Sequence, residues 1–377
     1  MAGRSQEALY SGLDLELSWS ERELPQALRT KHVHGLHPYL GKFVPQLVEV
    51  FLDRYFGAGD TVYDPFVGSG TTLVEANARG IRGVGCDISA FNCLLARVKT
   101  TRYALASLEL SLRVAAETAR RSDDDLLAVA TPWLREWYAP QALQELLRYR
   151  AAIVELDDPA WDLARVILSR AARSARLTRH FDLDFPLEPV TAPYLCHKHK
   201  RTCRPVAEAA KFLRRYTDDT VRRVREFAAL RTQAKVEVLH DDARVVELPW
   251  RAAGIITSPP YPGLIDYHEQ HRYAYELLAL RDRRGAEIGA AATGTRRAEV
   301  TRYVEAMTEA FANARRRLPP DAPVVIVVND SRDLYPAILD GAGLRLDRRL
   351  TRHVNRRTGR RAGEFYEHVL VCHVARR

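Results

Sequence analysis

A strand, a glycine-rich turn and a helix follow one another in DTVYDPFVGSGTTLVEANARG (residues 60–80), and this order constrains the fold more than any other feature. The next segment, IRGVGCDIS (81–89), is again apolar and β-forming, so the two strands and the helix between them make a βαβ unit. Such a crossover helix must pack on one face of a parallel sheet. The chain is therefore predicted to be an α/β protein with a Rossmann-like sheet.

The turn of this unit indicates a nucleotide-type pocket. Gly68 and Gly70 permit a tight turn and a close approach of the backbone to a ligand. The spacing matches neither the dinucleotide G-x-G-x-x-G motif nor a P-loop, since no Gly-Lys-Ser/Thr follows. Asp87 ends the second strand, where a carboxylate can accept both ribose hydroxyls, and an Asp in LHDDAR (239–244) can accept from an adenine amino group. Together they describe a pocket for an adenosine without phosphates, although each acid alone could be a helix N-cap.

A second unusual segment is IITSPPYPGLIDY (255–267), in which an apolar strand stops at Thr-Ser-Pro-Pro-Tyr. Two prolines cannot extend a sheet, because they lack N–H donors and fix φ. They form a stiff corner at the carboxyl end of the strand, which is the edge where open α/β sheets bind ligands. The corner is therefore predicted to hold a substrate group.

The composition favours a polyanionic partner and a reducing compartment. The 377 residues carry a formal net charge of +9, which suits a polyanion, although an ordinary basic enzyme can have the same balance. The five cysteines are odd in number and scattered, so no disulfide framework is expected. The N-terminus has no apolar signal region, and the longest apolar runs are too short to span a membrane. The expected location is the cytoplasm of a prokaryote, in association with the nucleoid.

Helical patterns rich in Ala, Leu and Arg interrupt the predicted sheet. Three parts are expected: residues 1–99 with the first pocket motifs, 100–235 as a helical insertion, and 236–377 with the Ser-Pro-Pro-Tyr corner. Within the last part, the charged and Gly/Ala-rich segment 281–299 is interpreted as a mobile loop. Strand patterns return after the insertion at KVEVLH, AGIITS, APVVIVVND and FYEHVLVCHV.

The motifs DPFVGSGTT, Asp87, DDAR and TSPPY, in that order, resemble the S-adenosylmethionine-dependent amino-methyltransferases of DNA, which modify cytosine N4 or adenine N6. HPYLGKF (37–43) resembles the segment that precedes the cofactor strand in those enzymes. The likeness covers residues 31–99 and 236–274, and it implies a class I methyltransferase sheet and S-adenosylmethionine as cofactor. The implied cofactor-binding residues are Lys42, Phe43, Asp64, Pro65, Phe66, Gly68, Ser69, Gly70, Thr71, Thr72, Asp87, Ile88, Asp242 and Ala243.

The same resemblance implies direct methyl transfer to an amino nitrogen of a flipped base, with Ser258, Pro259, Pro260 and Tyr261 as the catalytic residues. Ser258 Oγ and the Pro259 carbonyl would accept from the amine as its nitrogen becomes tetrahedral, and Tyr261 would stack on the base. A Ser at the first position usually accompanies cytosine N4, which is favoured over adenine N6 and over base amines in RNA. The alternative of another class is a non-catalytic nucleic-acid-binding protein. No Pro-Cys dipeptide occurs, so the covalent chemistry of C5-cytosine enzymes is not expected.

The helical insertion is the candidate for target recognition, although the resembling enzymes usually place that region elsewhere in the chain. Residues 186–235 contain 12 Lys/Arg against 5 Asp/Glu, an excess that suits a DNA backbone as well as a solvated helix. A second basic tract, 344–365, is expected to clamp DNA from the other side, as a hairpin loop before the last strand. The predicted DNA-binding residues are His197, Lys198, His199, Lys200, Arg201, Arg204, Arg357, Arg360 and Arg361.

Two segments contain residues typical of zinc ligands. The first, YLCHKHKRTCRP, holds Cys196, His197, His199 and Cys203. It is compact and has no distant Cys-x-x-Cys partner, so a basic phosphate-contacting loop is favoured over a zinc site. The second, YHEQHRYAYELL, misses the H-E-x-x-H motif, because Arg272 stands where the second His is required. His268, Glu269 and His271 are expected at a helix start, where they either contact substrate or cofactor or cap and pack the helix. No metal is therefore predicted, and the expected partners are double-stranded DNA and a cognate restriction or defence protein.

Overall fold

A computed structural model of the chain describes residues 17–19, 22–41, 44–180, 182–183, 186–263, 265–290, 294, 296–354 and 365–375. Its helices are α1 (Gln26–Arg29), α2 (Pro45–Tyr55), α3 (Thr71–Ala78), α4 (Ala90–Thr100), α5 (Leu105–Arg121), α6 (Pro132–Trp137), α7 (Pro140–Ile153), α8 (Ala160–Ala175), α9 (Ala210–Ala228), α10 (Tyr267–Gln270), α11 (Arg272–Leu278), α12 (Arg297–Arg315) and α13 (Tyr335–Ala342). Its strands are β1 (Thr61–Asp64), β2 (Arg82–Asp87), β3 (Tyr194–Cys196), β4 (Arg201–Cys203), β5 (Val236–His240), β6 (Gly254–Thr257), β7 (Pro323–Val328), β8 (Leu344–Val354) and β9 (Phe365–Val374). None of the described helices is both long and apolar enough to cross a bilayer.

Seven strands form one sheet in the order β5-β2-β1-β6-β7-β9-β8. The first five are parallel, whereas β9 runs antiparallel to β7 and β8 runs antiparallel to β9. The chain passes from β1 outward to β2 and β5 and then returns to β6 on the other side of β1. Ligands bind at such a switch point, beyond the carboxyl ends of the strands. The sheet confirms the predicted Rossmann-like architecture, and it places both motifs, 64–72 and 258–261, at the ligand-binding edge.

Both faces of the sheet are covered, so its central strands are buried throughout. Every residue of β1 and β6 is buried. On one face, alternate strand residues such as Val62 pack with Phe51 of α2. On the opposite face, Tyr63 and the other strand residues of that face pack with Met307 and Phe311 of α12. This arrangement is expected for parallel strands that are covered by helices on both sides.

The segment between β2 and β5 is largely helical, as its composition predicts. Helices α5 to α9 share one buried cluster with Phe91 and Leu94 of α4 and with Tyr273 and Leu277 of α11. The insertion therefore packs on the crossover helices of the sheet through a common core. It also contains an antiparallel hairpin, β3–β4, in a region where the sequence indicated a loop.

Two segments differ from their predictions. Residues 344–354 of the second basic tract form a strand that pairs along its length with β9, so they are not part of a loop. The remainder of that tract, with Arg357, Arg360 and Arg361, lies outside the described residues. The segment 281–299, predicted as a loop, has a 3₁₀ turn at Arg284–Ala286 and a backbone hydrogen bond from Gly263 N to Gly289 O at 2.9 Å, and its last residues belong to α12, which begins at Arg297.

Candidate active site

The glycine-rich turn after β1 is held in place by groups from β2 and α4. Gly68 and Gly70 have φ of +47° and +82°, a region that favours glycine. Gly68 N donates to Asp87 Oδ2 at 2.9 Å, so the acid at the end of β2 fixes the turn after β1. Lys99 of α4 is buried and donates from Nζ to the Ser69 carbonyl at 2.6 Å. Hydrogen bonds within the protein therefore hold the turn in place before a ligand binds.

Asp87 is the most connected acid of this site. Its Oδ1 accepts from Ser89 N at 2.8 Å, and both of its oxygens accept from the Asn92 side-chain amide. Burial raises the pKa of Asp87 to about 6, although the hydrogen bonds oppose the shift. A carboxylate offers about four lone-pair positions, so the ribose hydroxyls predicted as further donors would share oxygens that already accept these bonds.

Asp64 connects the two motifs from behind the pocket. Its Oδ1 accepts from Thr257 Oγ1 at 2.6 Å and from Phe66 N at 3.1 Å. Burial raises the pKa of Asp64 to about 6. Because Asp64 ends β1 and Thr257 ends β6, this bond sets the position of the glycine-rich turn relative to the Ser-Pro-Pro-Tyr corner.

A pocket that encloses about 760 Å³, part of it open to solvent, lies at this edge of the sheet. The predicted cofactor residues that line it are Pro65, Phe66, Gly68, Ser69, Thr71, Asp87, Ile88, Asp242 and Ala243. Asp64, Gly70 and Thr72 are buried and support the turn without lining the pocket. Lys42 and Phe43 lie outside the described residues. The lining residues that sequence reasoning missed are Tyr39, Gly41, Val67, Ser89, Asn92, Tyr267, Ala286, Glu287 and Ile288.

Two of the missed residues form an aromatic wall of the pocket. The rings of Tyr39 and Tyr267 stack with centroids 5.5 Å apart. Glu287 holds this wall, since its Oε1 accepts from Tyr267 N at 2.9 Å and its Oε2 lies 2.7 Å from His268 Nδ1. Tyr39 belongs to HPYLGKF, the segment that the resemblance places before the cofactor strand. Glu287 had no sequence signal, because Gly and Ala surround it.

Asp242 lines the pocket, but its side chain is already paired. The Arg244 backbone N–H donates to Oδ1 at 3.0 Å, and Arg244 Nη2 donates to Oδ2 at 2.6 Å. Burial opposes the shift, yet these bonds lower the pKa of Asp242 below its usual value. The adenine amino group is the ligand predicted for Asp242. It would therefore bind a carboxylate that already accepts hydrogen bonds from Arg244.

The Ser-Pro-Pro-Tyr corner faces the pocket through Ser258 and Pro260, while Pro259 is buried. Tyr303 of α12 donates its hydroxyl to the Pro260 carbonyl at 2.9 Å. Tyr261 is half-buried, and its hydroxyl donates to Glu367 Oε1 at 3.4 Å. Burial, followed by the nearby Glu367 carboxylate, raises the pKa of Tyr261 well above its usual value. Side chains of α12 and β9 thus hold the corner in place.

The histidines after the corner pack within the protein, which is one of the two roles that the sequence leaves open for them. His268 is buried against Glu287, and His271 Nδ1 lies 3.0 Å from the Tyr267 carbonyl oxygen. Glu269 is exposed at the helix start, where its backbone N–H donates to the Asp266 side chain. This stretch therefore supports the aromatic wall.

The predicted DNA-binding residues of 197–204 are all exposed on and beside the β3–β4 hairpin. In the rest of the basic stretch, several arginines are paired with acidic side chains, so fewer of them can bind DNA than the charge count indicates. Arg222 and Arg223 of α9 both pair with Asp219, and Arg225 pairs with Glu109. The exposed basic side chains of residues 197–215 are Lys198, Lys200, Arg201, Arg204, Lys211, Arg214 and Arg215.

The sheet order and the pocket define a class I methyltransferase that uses S-adenosylmethionine. The residues fit this cofactor, because the glycine turn leaves open space for a ligand and Asp87 presents a carboxylate at the pocket wall. A Cβ on Gly68 would lie 2.9 Å from the Tyr39 hydroxyl and would narrow that space.

Comparisons with known proteins identify the family. Residues 9–97 match the DNA methylase family of N6 and N4 methyltransferases. The chain is 36% identical over 450 residues to the type II methyltransferase M.MjaII of Methanocaldococcus jannaschii, with coverage of 97% of this chain and 84% of that protein. It is 34% identical over 90 residues to the type II methyltransferase M.MvaI of Kocuria varians, with coverage of 21% and 20%. The chain belongs to the N4/N6 family of DNA methyltransferases.

Among solved structures, TrmN from Thermus thermophilus is 15% identical and superposes with a TM-score of 0.35. The match covers 89% of this chain and 50% of that one. A likeness at this level carries no conclusion about the substrate.

Proposed function

We propose that this DNA methyltransferase methylates the exocyclic N4 amine of a cytosine that has been flipped out of the duplex. The observation that supports this choice is Ser258, which directly follows β6 and lines the same pocket as Asp87. In this family resemblance, a Ser at that position favours cytosine N4 over adenine N6. S-adenosylmethionine, when bound, supplies an electrophilic methyl group. In the proposal, Asp87 and Asp242 hold its adenosine, and the turn at 64–72 holds its methionine end.

Ser258 and the Pro259 carbonyl are proposed to activate the amine. The lone pair of an exocyclic amine is delocalised into the ring, so the nitrogen must become more tetrahedral to attack. Two acceptors aimed at its N–H groups stabilise that geometry more in the transition state than in the ground state. The bond from Thr257 to Asp64 and the bond from Tyr303 to the Pro260 carbonyl hold the corner, so its acceptors need little reorganisation.

Tyr261 is proposed to stack on the flipped base. Extrusion of a base costs a few kcal/mol, and the pocket must recover it through stacking and hydrogen bonds. The bond from the Tyr261 hydroxyl to Glu367 restrains the ring before any base arrives. A restrained aromatic ring loses less conformational freedom when the base binds.

The insertion of residues 100–235 is proposed to contact DNA through the exposed basic side chains on and beside the β3–β4 hairpin. Lys and Arg contacts to phosphates supply affinity and position without reading sequence. The proposed division of the chain remains 1–99 and 236–377 for the catalytic part. Two relatives are named type II methyltransferases. By analogy, we propose a role in DNA modification that is paired with a restriction or defence protein.

Nucleoside mass spectrometry tests the proposed base. Purified protein and isotopically labelled S-adenosylmethionine are incubated with unmethylated genomic DNA and, in parallel, with tRNA. We expect labelled N4-methyldeoxycytidine in DNA, and its loss in Ser258→Ala and Tyr261→Ala variants that still bind the cofactor. Labelled N6-methyldeoxyadenosine would overturn the inference from Ser258. Label in tRNA alone would overturn the DNA substrate, and no label with intact cofactor binding would overturn turnover itself.

A further inference from the structure

A group of four side chains in the helical insertion has no part in the methyl-transfer pocket. His180 follows α8, Cys196 ends β3, His199 lies in the hairpin turn, and Cys203 ends β4. One ligand atom from each lies within 4.8 Å of the others. We propose that these four residues bind a structural zinc ion, which makes the hairpin a zinc-stabilised element.

The distances between the ligand atoms match a tetrahedral zinc site. Zinc lies about 2.3 Å from thiolate sulfur and about 2.0–2.1 Å from imidazole nitrogen, so sulfur and nitrogen on adjacent corners are about 3.6 Å apart. Cys196 Sγ is 3.6 Å from His180 Nδ1 and 3.7 Å from His199 Nδ1. Cys203 Sγ is 3.4 Å from His199 Nδ1. Only small shifts would be needed to bind the ion.

The pattern of these contacts also favours a central ion over hydrogen bonds. His199 Nδ1 faces both sulfurs, and Cys196 Sγ faces both imidazole nitrogens. A single thiol proton can serve one acceptor well, whereas one cation at the centre satisfies all four ligands together. Two other groups of possible ligands differ in this respect, because a histidine and a carboxylate already lie 2.7 Å apart in each: His34 with Glu75, and His268 with Glu287.

The hairpin has little apolar stabilisation, although the Tyr194 hydroxyl accepts from His180 N at 3.1 Å. Its strands are three residues long, and Cys196 and Cys203 are the only buried residues between 186 and 208. A two-stranded hairpin of this size is marginal in water. A metal bound to both strands and to His180 would attach the hairpin to the segment after α8, in place of an apolar core.

The site would have a structural role. Four protein ligands close the coordination shell and leave no position for water or substrate. Two thiolates balance the charge of Zn²⁺, so the ion would leave the positive charge of the exposed hairpin lysines and arginines unchanged. Its contribution to DNA binding would come from the position in which it holds Lys198, Lys200 and Arg201.

Metal analysis of the full-length protein tests this proposal. Protein expressed with added zinc and passed through a desalting column should retain one zinc per chain. Replacement of zinc by Co²⁺ should produce a sulfur-to-cobalt charge-transfer band and the visible bands of a tetrahedral ion. Chelator-treated protein that takes up no zinc, or a cobalt spectrum without the sulfur band, would overturn the proposal. Neither measurement depends on a variant.

Variants then assign the ligands. Cys196→Ser and Cys203→Ser should each lose the bound zinc, whereas Cys372→Ala, at a buried cysteine of β9, should retain it. His199→Ala should weaken zinc binding, and its matched control His197→Ala, two residues away, should not. Cofactor binding is measured for every variant to confirm that the methyltransferase pocket is folded. Equal zinc loss in the control variants, or full zinc retention in both serine variants, would refute the assignment.

Discussion

The hydroxyl of Tyr303 offers a direct test of how the catalytic corner is positioned. Tyr303 is buried on α12, and its hydroxyl donates to the Pro260 carbonyl at 2.9 Å. Burial raises the pKa of Tyr303 above its usual value, so the hydroxyl remains a neutral donor at working pH. The variant Tyr303→Phe removes this one donor and keeps the ring that packs in the core.

The expected loss follows from the value of a single hydrogen bond. A neutral intramolecular hydrogen bond contributes about 0.5–1.5 kcal/mol net. If this energy aligns the corner in the transition state, kcat should fall about 2- to 12-fold, since 1.36 kcal/mol corresponds to a factor of ten. The thermal midpoint should decrease slightly, and the dissociation constant of S-adenosylmethionine should change less than kcat.

Tyr335→Phe is the matched control. Tyr335 is equally buried, and its hydroxyl hydrogen-bonds that of Tyr303 at 3.3 Å, one bond further from the Pro260 carbonyl. Single-turnover methylation, stopped by acid and counted with a labelled methyl group, compares the two variants with the wild type. Tyr335→Phe should retain nearly the full rate. Equal losses in both variants, or no loss in Tyr303→Phe, would refute a positioning role for this bond.

Two further predictions concern the cofactor turn. The affinity for S-adenosylmethionine should be constant above pH 7 and should fall as the pH drops through about 6. The pKa of Asp87 is raised to about 6, so its carboxylate is protonated in that range and loses acceptor sites for the ligand. Calorimetric titration of wild type and Asp87→Asn should show this pH dependence only in the wild type. Gly70→Ala should destabilise the fold more than Gly59→Ala. Both glycines have positive φ, which costs about 1–2 kcal/mol for an L-residue. Only at Gly70 would the Cβ also lie 2.9 Å from Ala96 Cα. Urea unfolding measures the difference.

In both the pH titration and the glycine experiment, the opposite result would have a specific meaning. A pH dependence that persists in Asp87→Asn would assign the titration to another group, such as Asp64, whose pKa is also raised to about 6. Equal destabilisation by the two alanine variants would show that α4 moves aside, so that close packing of the turn is not required.

The local parts of the site could be predicted from the sequence. A β-forming run before Gly68 and Gly70 predicts a strand and a turn, because glycine is the residue that adopts positive φ without strain. Two prolines after β6 predict a corner, because proline fixes φ and lacks a donor. Each of these features depends on neighbouring residues, and parallel strands then bring their carboxyl ends to one edge of the sheet.

Contacts between distant segments could not be predicted in the same way. The pairing of Asp64 with Thr257 and the approach of Glu287 to Tyr267 depend on how whole elements pack. The surface charge of α9 was overestimated for the same reason, because Asp219 binds two of its arginines within the fold.

The β3–β4 hairpin shows most clearly the difference between what can be predicted from neighbouring residues and what depends on contacts between distant segments. In the sequence, Cys196, His197, His199 and Cys203 are all zinc-type ligands, but so compact a cluster in a basic segment favours a phosphate-contacting loop. In the structure, His180 is the fourth member of the group, and a proline-containing stretch separates it from the others. The residues with the chemistry to bind the cofactor, the base or a metal can be read from the sequence, because that chemistry belongs to each side chain. Which of these residues meet depends on the fold, because a site requires ligands from separate segments to converge within a few ångströms.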